Sequence, residues 1–126
     1  MVMEVNGYKI EPGAVLKCAD FTAADLTEAN MTEANLEGAS LNRANLSGAT
    51  LNRANMTGSY LILADLKNAK LHSADMHGTN LTGANLTDAK LSGANLERSN
   101  LRGANLSGAD LGGANLEGAN LTRANL

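Results

Sequence analysis

The chain has 126 residues, with 13 acidic against 10 basic side chains and a formal charge of −3. This suits one domain, and it excludes both a basic nucleic-acid-binding surface and a strongly acidic one. One Phe, two Tyr, no Trp and a single Pro exclude an irregular core filled by aromatic rings. The lone Cys18 excludes a disulfide framework and a cysteine-based metal site.

In chain order, residues 1–13 stand apart from everything that follows. They contain Tyr8, Ile10 and Pro12 and are expected to form an N-terminal cap, with residues 14–126 as the repeat body. The start lacks a basic segment followed by an apolar one, and no later stretch holds eighteen apolar residues in a row. A cytoplasmic location without membrane insertion is the resulting expectation.

From Leu16 onward the period is five. The central residues run Leu16, Phe21, Leu26, Met31, Leu36 and so on to Leu126, and none is polar. Two positions before each centre stands Ala, from Ala14 to Ala124, except at Ser59, Thr79 and Ser99. Asn or Asp mostly separates the two, and polar residues or Gly follow the centre. Five residues of α-helix advance about 500°, so the leucines would drift off any stripe. In a flat strand an odd period would switch them between faces. Only a chain that turns a corner in every repeat keeps Leu and Ala inward, and Gly at positions such as Gly38, Gly48, Gly58 and Gly83 suits those corners.

The number of repeats per coil is also encoded. Ser59, Thr79 and Ser99 fall at intervals of twenty, as do Met56 and Met76. The outward pairs Lys17 with Glu37 and Glu33 with Arg53 have the same separation and opposite charge. Four repeats per coil, and hence five to six coils in an all-β solenoid, account for these coincidences. Ser59, Thr79 and Ser99 are expected to stack as a buried hydroxyl ladder.

The run Ala-(Asn/Asp)-Leu-x-x, as in Ala84-Asn85-Leu86-Thr87-Asp88, resembles the pentapeptide repeat family from Ala14 to Leu126. The resemblance implies a right-handed quadrilateral β-helix, similar to short cyanobacterial members of unknown function. Some members imitate DNA and inhibit gyrase through a long, acidic, dimeric rod. This chain departs from that pattern through its small charge and its arginines Arg43, Arg53, Arg98, Arg102 and Arg123.

No catalytic motif, cofactor loop or metal-ligand spacing is present, so no cofactor, nucleic acid or enzymatic activity is expected. His72 and His77 lie on adjacent sides and read as solvated. Three surface features remain. Tyr60, Ile62 and Leu63 surround an inward Leu61 and form a candidate patch for an unidentified protein partner. Asp20, Asp25, Glu28, Glu33 and Glu37, with no intervening Lys or Arg, form a candidate acidic collar. Leu116, Leu121 and Leu126 lie near the last coil and form a candidate end-to-end contact for a homodimer.

Overall fold

The computed structural model describes residues 3–126. Its repeat body is an all-β solenoid held by four parallel ladders, each joining residues twenty apart. The first runs from Val15 through Asn35 to Asn115, and the second from Asp20 through Ser40 and Tyr60 to Asn120. The third runs from Asp25 to Asn125, and the fourth from Asn30 to Asp110.

The backbone of one pentapeptide shows why five residues suffice. The Leu61 N–H donates to the Asn80 carbonyl at 2.7 Å, and the Leu63 N–H to that of Thr82 at 2.9 Å. The Tyr60 N–H donates the other way, to Ala39 at 3.0 Å, while the Ala64 N–H closes the local turn onto the Leu61 carbonyl at 3.1 Å. One donor per repeat is left, on the residue after the centre. In most repeats the Asn or Asp two residues earlier takes it, as Asp65 Oδ1 takes the Lys67 N–H at 3.0 Å. The frequent Asn before the leucine is therefore a structural acceptor.

The corners demand more than the sequence suggests. Every second residue after a centre has positive φ, glycine or not: Glu33 at 59°, Arg43 at 60° and Leu63 at 59° stand beside Gly83 at 67°. A positive φ at the third residue of a turn closed by a carbonyl three residues back is the type II pattern. The left-handed conformation costs about 1–2 kcal/mol for a side-chain-bearing residue. It is held because it aims that residue's N–H at the following coil.

Inward packing supplies the driving force. Every central side chain from Phe21 to Leu101 is fully buried, and the Ala column beside it is buried over the same span. Burial contributes about 1.5–3 kcal/mol for each Leu or Met. Ser59, Thr79 and Ser99 occupy Ala slots and are buried too, but they form no hydroxyl ladder. Thr79 Oγ1 donates to the Met76 carbonyl at 2.9 Å and Ser99 Oγ to that of Leu96 at 2.8 Å, while Ser59 Oγ has no partner among the described residues. Coils about 4.8 Å apart hold stacked hydroxyls beyond hydrogen-bonding reach, whereas the carbonyl of the same turn is close at hand.

Ahead of the repeats, β1 (Met3–Val5) and β2 (Tyr8–Ile10) pair antiparallel. Their two-residue loop is Asn6-Gly7, with φ of 52° and 82°, the pattern of a type I′ hairpin. The Tyr8 ring packs on Phe21 with centroids 5.2 Å apart and planes at 60°, and Ile10 is buried. Asn6 Nδ2 donates to the Asp20 carbonyl at 3.1 Å, tying the hairpin to the first coil. Met1 and Val2, which the sequence assigns to the cap, lie outside the described residues.

Core columns outweigh surface pairs in this construction. Leu66→Ala is expected to cost about 2–5 kcal/mol in denaturant unfolding. Arg53→Ala, which removes the exposed pair with Glu33, is expected to cost no more than about 1 kcal/mol. Equal losses would contradict this division.

Candidate interaction surfaces

The second ladder carries Tyr60, and the same turn presents Ile62 and Leu63. Tyr60 is 49% and Leu63 54% exposed, Ile62 is half-buried, and Leu61 between them is fully buried. One pentapeptide thus places three apolar side chains around one inward leucine. Leu63 leans toward the next coil over Gly83, with its Cδ2 2.8 Å from where a Cβ would sit. Absence of a side chain at Gly83 lets Leu63 lie along the surface. Below Ile62 a shallow depression of about 290 Å3 is lined by Thr22, Asn42, Arg43 and Ile62. The patch is not the chain's sole outward apolar feature, because Val15 is 79% exposed on the first ladder.

Two residues that hold the turns after Tyr60 and, on the fourth ladder, after Lys70 belong to no recognisable motif. Tyr60 and Lys70 replace the usual Asn or Asp and cannot accept the free N–H two residues on. Asn42 Oδ1 accepts the Ile62 N–H at 2.9 Å, and Asn52 Oδ1 accepts the His72 N–H at 3.0 Å, each from the coil before. The available signal is an Asn after the centre, twenty residues ahead of each position that lost its own acceptor.

The five early acids are spread around one coil rather than gathered on one side. Glu33 pairs with Arg53 at 2.6 Å and Glu37 with Lys17 at 3.9 Å, matching the opposite-charge spacing of twenty. Glu28 bends over Gly48. Asp20 and Asp25 accept from the hydroxyl and backbone N–H of Thr22 and Thr27. These bonds, the hydroxyl ones foremost, hold both carboxyls below their ordinary pKa, because each favours the charged form.

His72 Nδ1 lies 2.5 Å from Ser92 Oγ, and His77 Nδ1 lies 3.9 Å from Glu97. The two rings belong to different ladders, and no group of His, Cys, Asp and Glu among the described residues is arranged to hold a metal. Cys18 is an exposed free thiol. No helix of the described residues is long and apolar enough to cross a membrane. In the last coil Leu116 and Leu121 are half-buried and Leu126 is 73% exposed.

Comparison with known proteins agrees with this architecture. The profile of pentapeptide repeats matches residues 19–58, 59–98 and 99–126, so the chain belongs to the pentapeptide repeat family. A pentapeptide repeat protein from the Arabidopsis thaliana thylakoid lumen is 31% identical with a TM-score of 0.71, over 73% of this chain and 64% of its own. The protein Rfr23 from the cyanobacterium Cyanothece 51142 is 38% identical with a TM-score of 0.65, over 76% and 63%. A third, from Nostoc Pcc 7120, is 35% identical with a TM-score of 0.66, over 76% and 83%. The chain thus spans just under two thirds of the first two relatives. No curated protein sequence matches it.

Asn42→Ser is expected to leave the half-buried Ile62 N–H without an acceptor and to cost about 0.5–1.5 kcal/mol. Hydrogen exchange at the Ile62 amide should quicken, and Asn42→Asp, which keeps the acceptor, should restore protection. Unchanged exchange in Asn42→Ser would show that this bond is idle.

Proposed function

We propose that this protein is a non-enzymatic structural module that binds another protein through the turn of Tyr60, Ile62 and Leu63. The observation carrying this reading is one turn on which Tyr60 and Leu63 are exposed and Ile62 half-buried between them, its backbone held by bonds to the neighbouring coils. A surface held this rigidly loses little entropy on binding, and an exposed apolar patch favours burial. The DNA-mimic reading is weakened by the pairing of Glu33 with Arg53 and of Glu37 with Lys17.

The same proposal takes the body as a right-handed, four-sided β-helix of five to six coils, with residues 1–13 as its cap. The ladders joining residues twenty apart and the packing of Tyr8 on Phe21 support it. The free thiol of Cys18 suits a reducing compartment such as the cytoplasm.

In capture from native lysate, Ile62→Ser with Leu63→Ser is expected to lose the partner that the unaltered protein retains, with the circular dichroism spectrum unchanged. Full retention by that variant would remove the patch from the interface.

A weaker contact between copies is proposed at the last coil, where Leu116, Leu121 and Leu126 are incompletely covered. Sedimentation velocity should show a dimer for the unaltered chain and a monomer for Leu121→Asp. A monomer for both at high concentration would end that part of the proposal.

A further inference from the structure

The charges of the chain are sorted by ladder. Along the second, Arg43, Arg102 and Arg123 stand against Asp20 alone, although the whole molecule is negative. Along the third, Asp25, Glu28, Asp65 and Asp88 stand against Lys67. The fourth carries Arg53, Lys70 and Lys90 against Glu33 and Asp110, but the first, with Glu37, Asp75, Glu97 and Glu117 against Lys17 and Arg98, and the third separate it from the second, so the basic strip does not wrap around the rod.

The arginines of the second ladder also differ in their bonding. Arg53 is held by Glu33 at 2.6 Å, and Arg98 lies 3.8 Å from Glu97. Among the described residues Arg43, Arg102 and Arg123 have no carboxylate within ion-pair distance and all three are exposed. Arg43 sits one coil before the turn of Tyr60, and Arg102 two coils after it. At about 4.8 Å per coil, the two guanidinium stems are about 14 Å apart along the rod, the length of about four residues of extended chain. Between them lie Tyr60, Ile62 and Leu63, and the depression that Arg43 shares with Ile62 opens beside Arg43 and reaches back to Thr22.

We infer that this side of the rod recognises an extended acidic peptide segment with an apolar side chain between its carboxylates. The inference rests on the proposed patch and adds the chemistry of its partner. The apolar side chain would cover Ile62 and the depression beneath it, with the Tyr60 ring alongside. Flanking carboxylates would meet the Arg43 and Arg102 guanidinium groups, whose planar fork suits bidentate pairing. Tyr and Arg around an apolar centre are the residue types that dominate protein interfaces. A nucleic acid fits less well, since a phosphate backbone calls for a continuous basic stripe and the acidic third ladder borders this one.

The test is selection of a displayed random dodecapeptide library on the immobilised full chain, repeated on Arg43→Asp/Arg102→Glu and on Ile62→Ser/Leu63→Ser. Peptides enriched on the unaltered chain should carry Asp or Glu on both sides of a Leu, Phe or Trp. Their affinity, read by fluorescence anisotropy, should fall at least tenfold on the charge-reversed variant and weaken with added salt. Circular dichroism verifies that each variant is folded; should reversal unfold the chain, Arg102→Glu alone carries the comparison. Enrichment of neutral or basic peptides, or equal affinity on the charge-reversed variant, would overturn the inference. So would a fluorescent oligothymidine that binds more tightly than the selected peptides. If the apolar variant loses binding while the charge-reversed one retains it, the patch stands and the acidic partner falls. If neither variant changes binding, the patch falls as well.

Discussion

The hydrogen bond between residues nineteen to twenty-one apart, repeated along four ladders, is the constraint on which the rest of the molecule depends. In each repeat two N–H groups donate to the coil after and one to the coil before, and the rest go to the repeat's own turn or, in most repeats, to an Asn or Asp side chain. A chain bonded this way cannot drift in register, because a slip of one residue would turn the leucines outward and strand every side-chain acceptor. Register, burial and polar satisfaction all repeat with the same period of five. Agreement between levels of this kind marks a sequence that specifies one structure.

That constraint is strong enough to impose an uncommon backbone. Leu63 and Arg43 adopt a conformation that glycine would take without strain, and the cost is offset by the bonds their N–H groups make to Thr82 and Ile62. The arrangement has a consequence for the surface. A side chain leaving a left-handed corner leans along the rod toward the next coil, so its neighbour twenty residues on is often glycine. Leu63 over Gly83, Ser73 over Gly93 and Arg98 over Gly118 follow this rule. The corner composition thus depends on the preceding coil as much as on local turn preference.

The solenoid was legible in the sequence because its determinants are columns: an unbroken central series, an Ala series with three exceptions spaced by twenty, and ion pairs at the same spacing. What stayed hidden involves single atoms. The hydroxyls of Thr79 and Ser99 chose the carbonyl of their own turn, because the coil spacing fixes a distance that composition does not express. Asn42 and Asn52 read as two more polar residues until the backbone showed an N–H that Tyr60 and Lys70 could not satisfy. The hairpin before the repeats carried an Asn-Gly signal at Asn6-Gly7, which the contrast with the repeat body obscured. Among the candidate surface residues, the five acids stand out by sequence position, but the bases that pair with two of them do not. Coiling brings Arg53 beside Glu33 and Lys17 beside Glu37.

A scaffold that leaves so few backbone groups free confines recognition to its side chains, and it fixes where those can stand. Positions along one ladder recur at about 4.8 Å, and the ladders differ in charge although the repeats are alike. Recognition on such a rod then depends on which coil and which side a residue occupies. Tyr60 shows the cost of breaking the pattern: an aromatic ring there removes an acceptor, and Asn42 restores it from the coil below. The support given to a non-consensus residue by another non-consensus residue separates this turn from the exposed Val15, for which no comparable partner is seen. An interaction site here is a local exception to the repeat, held in place by the repeats on either side.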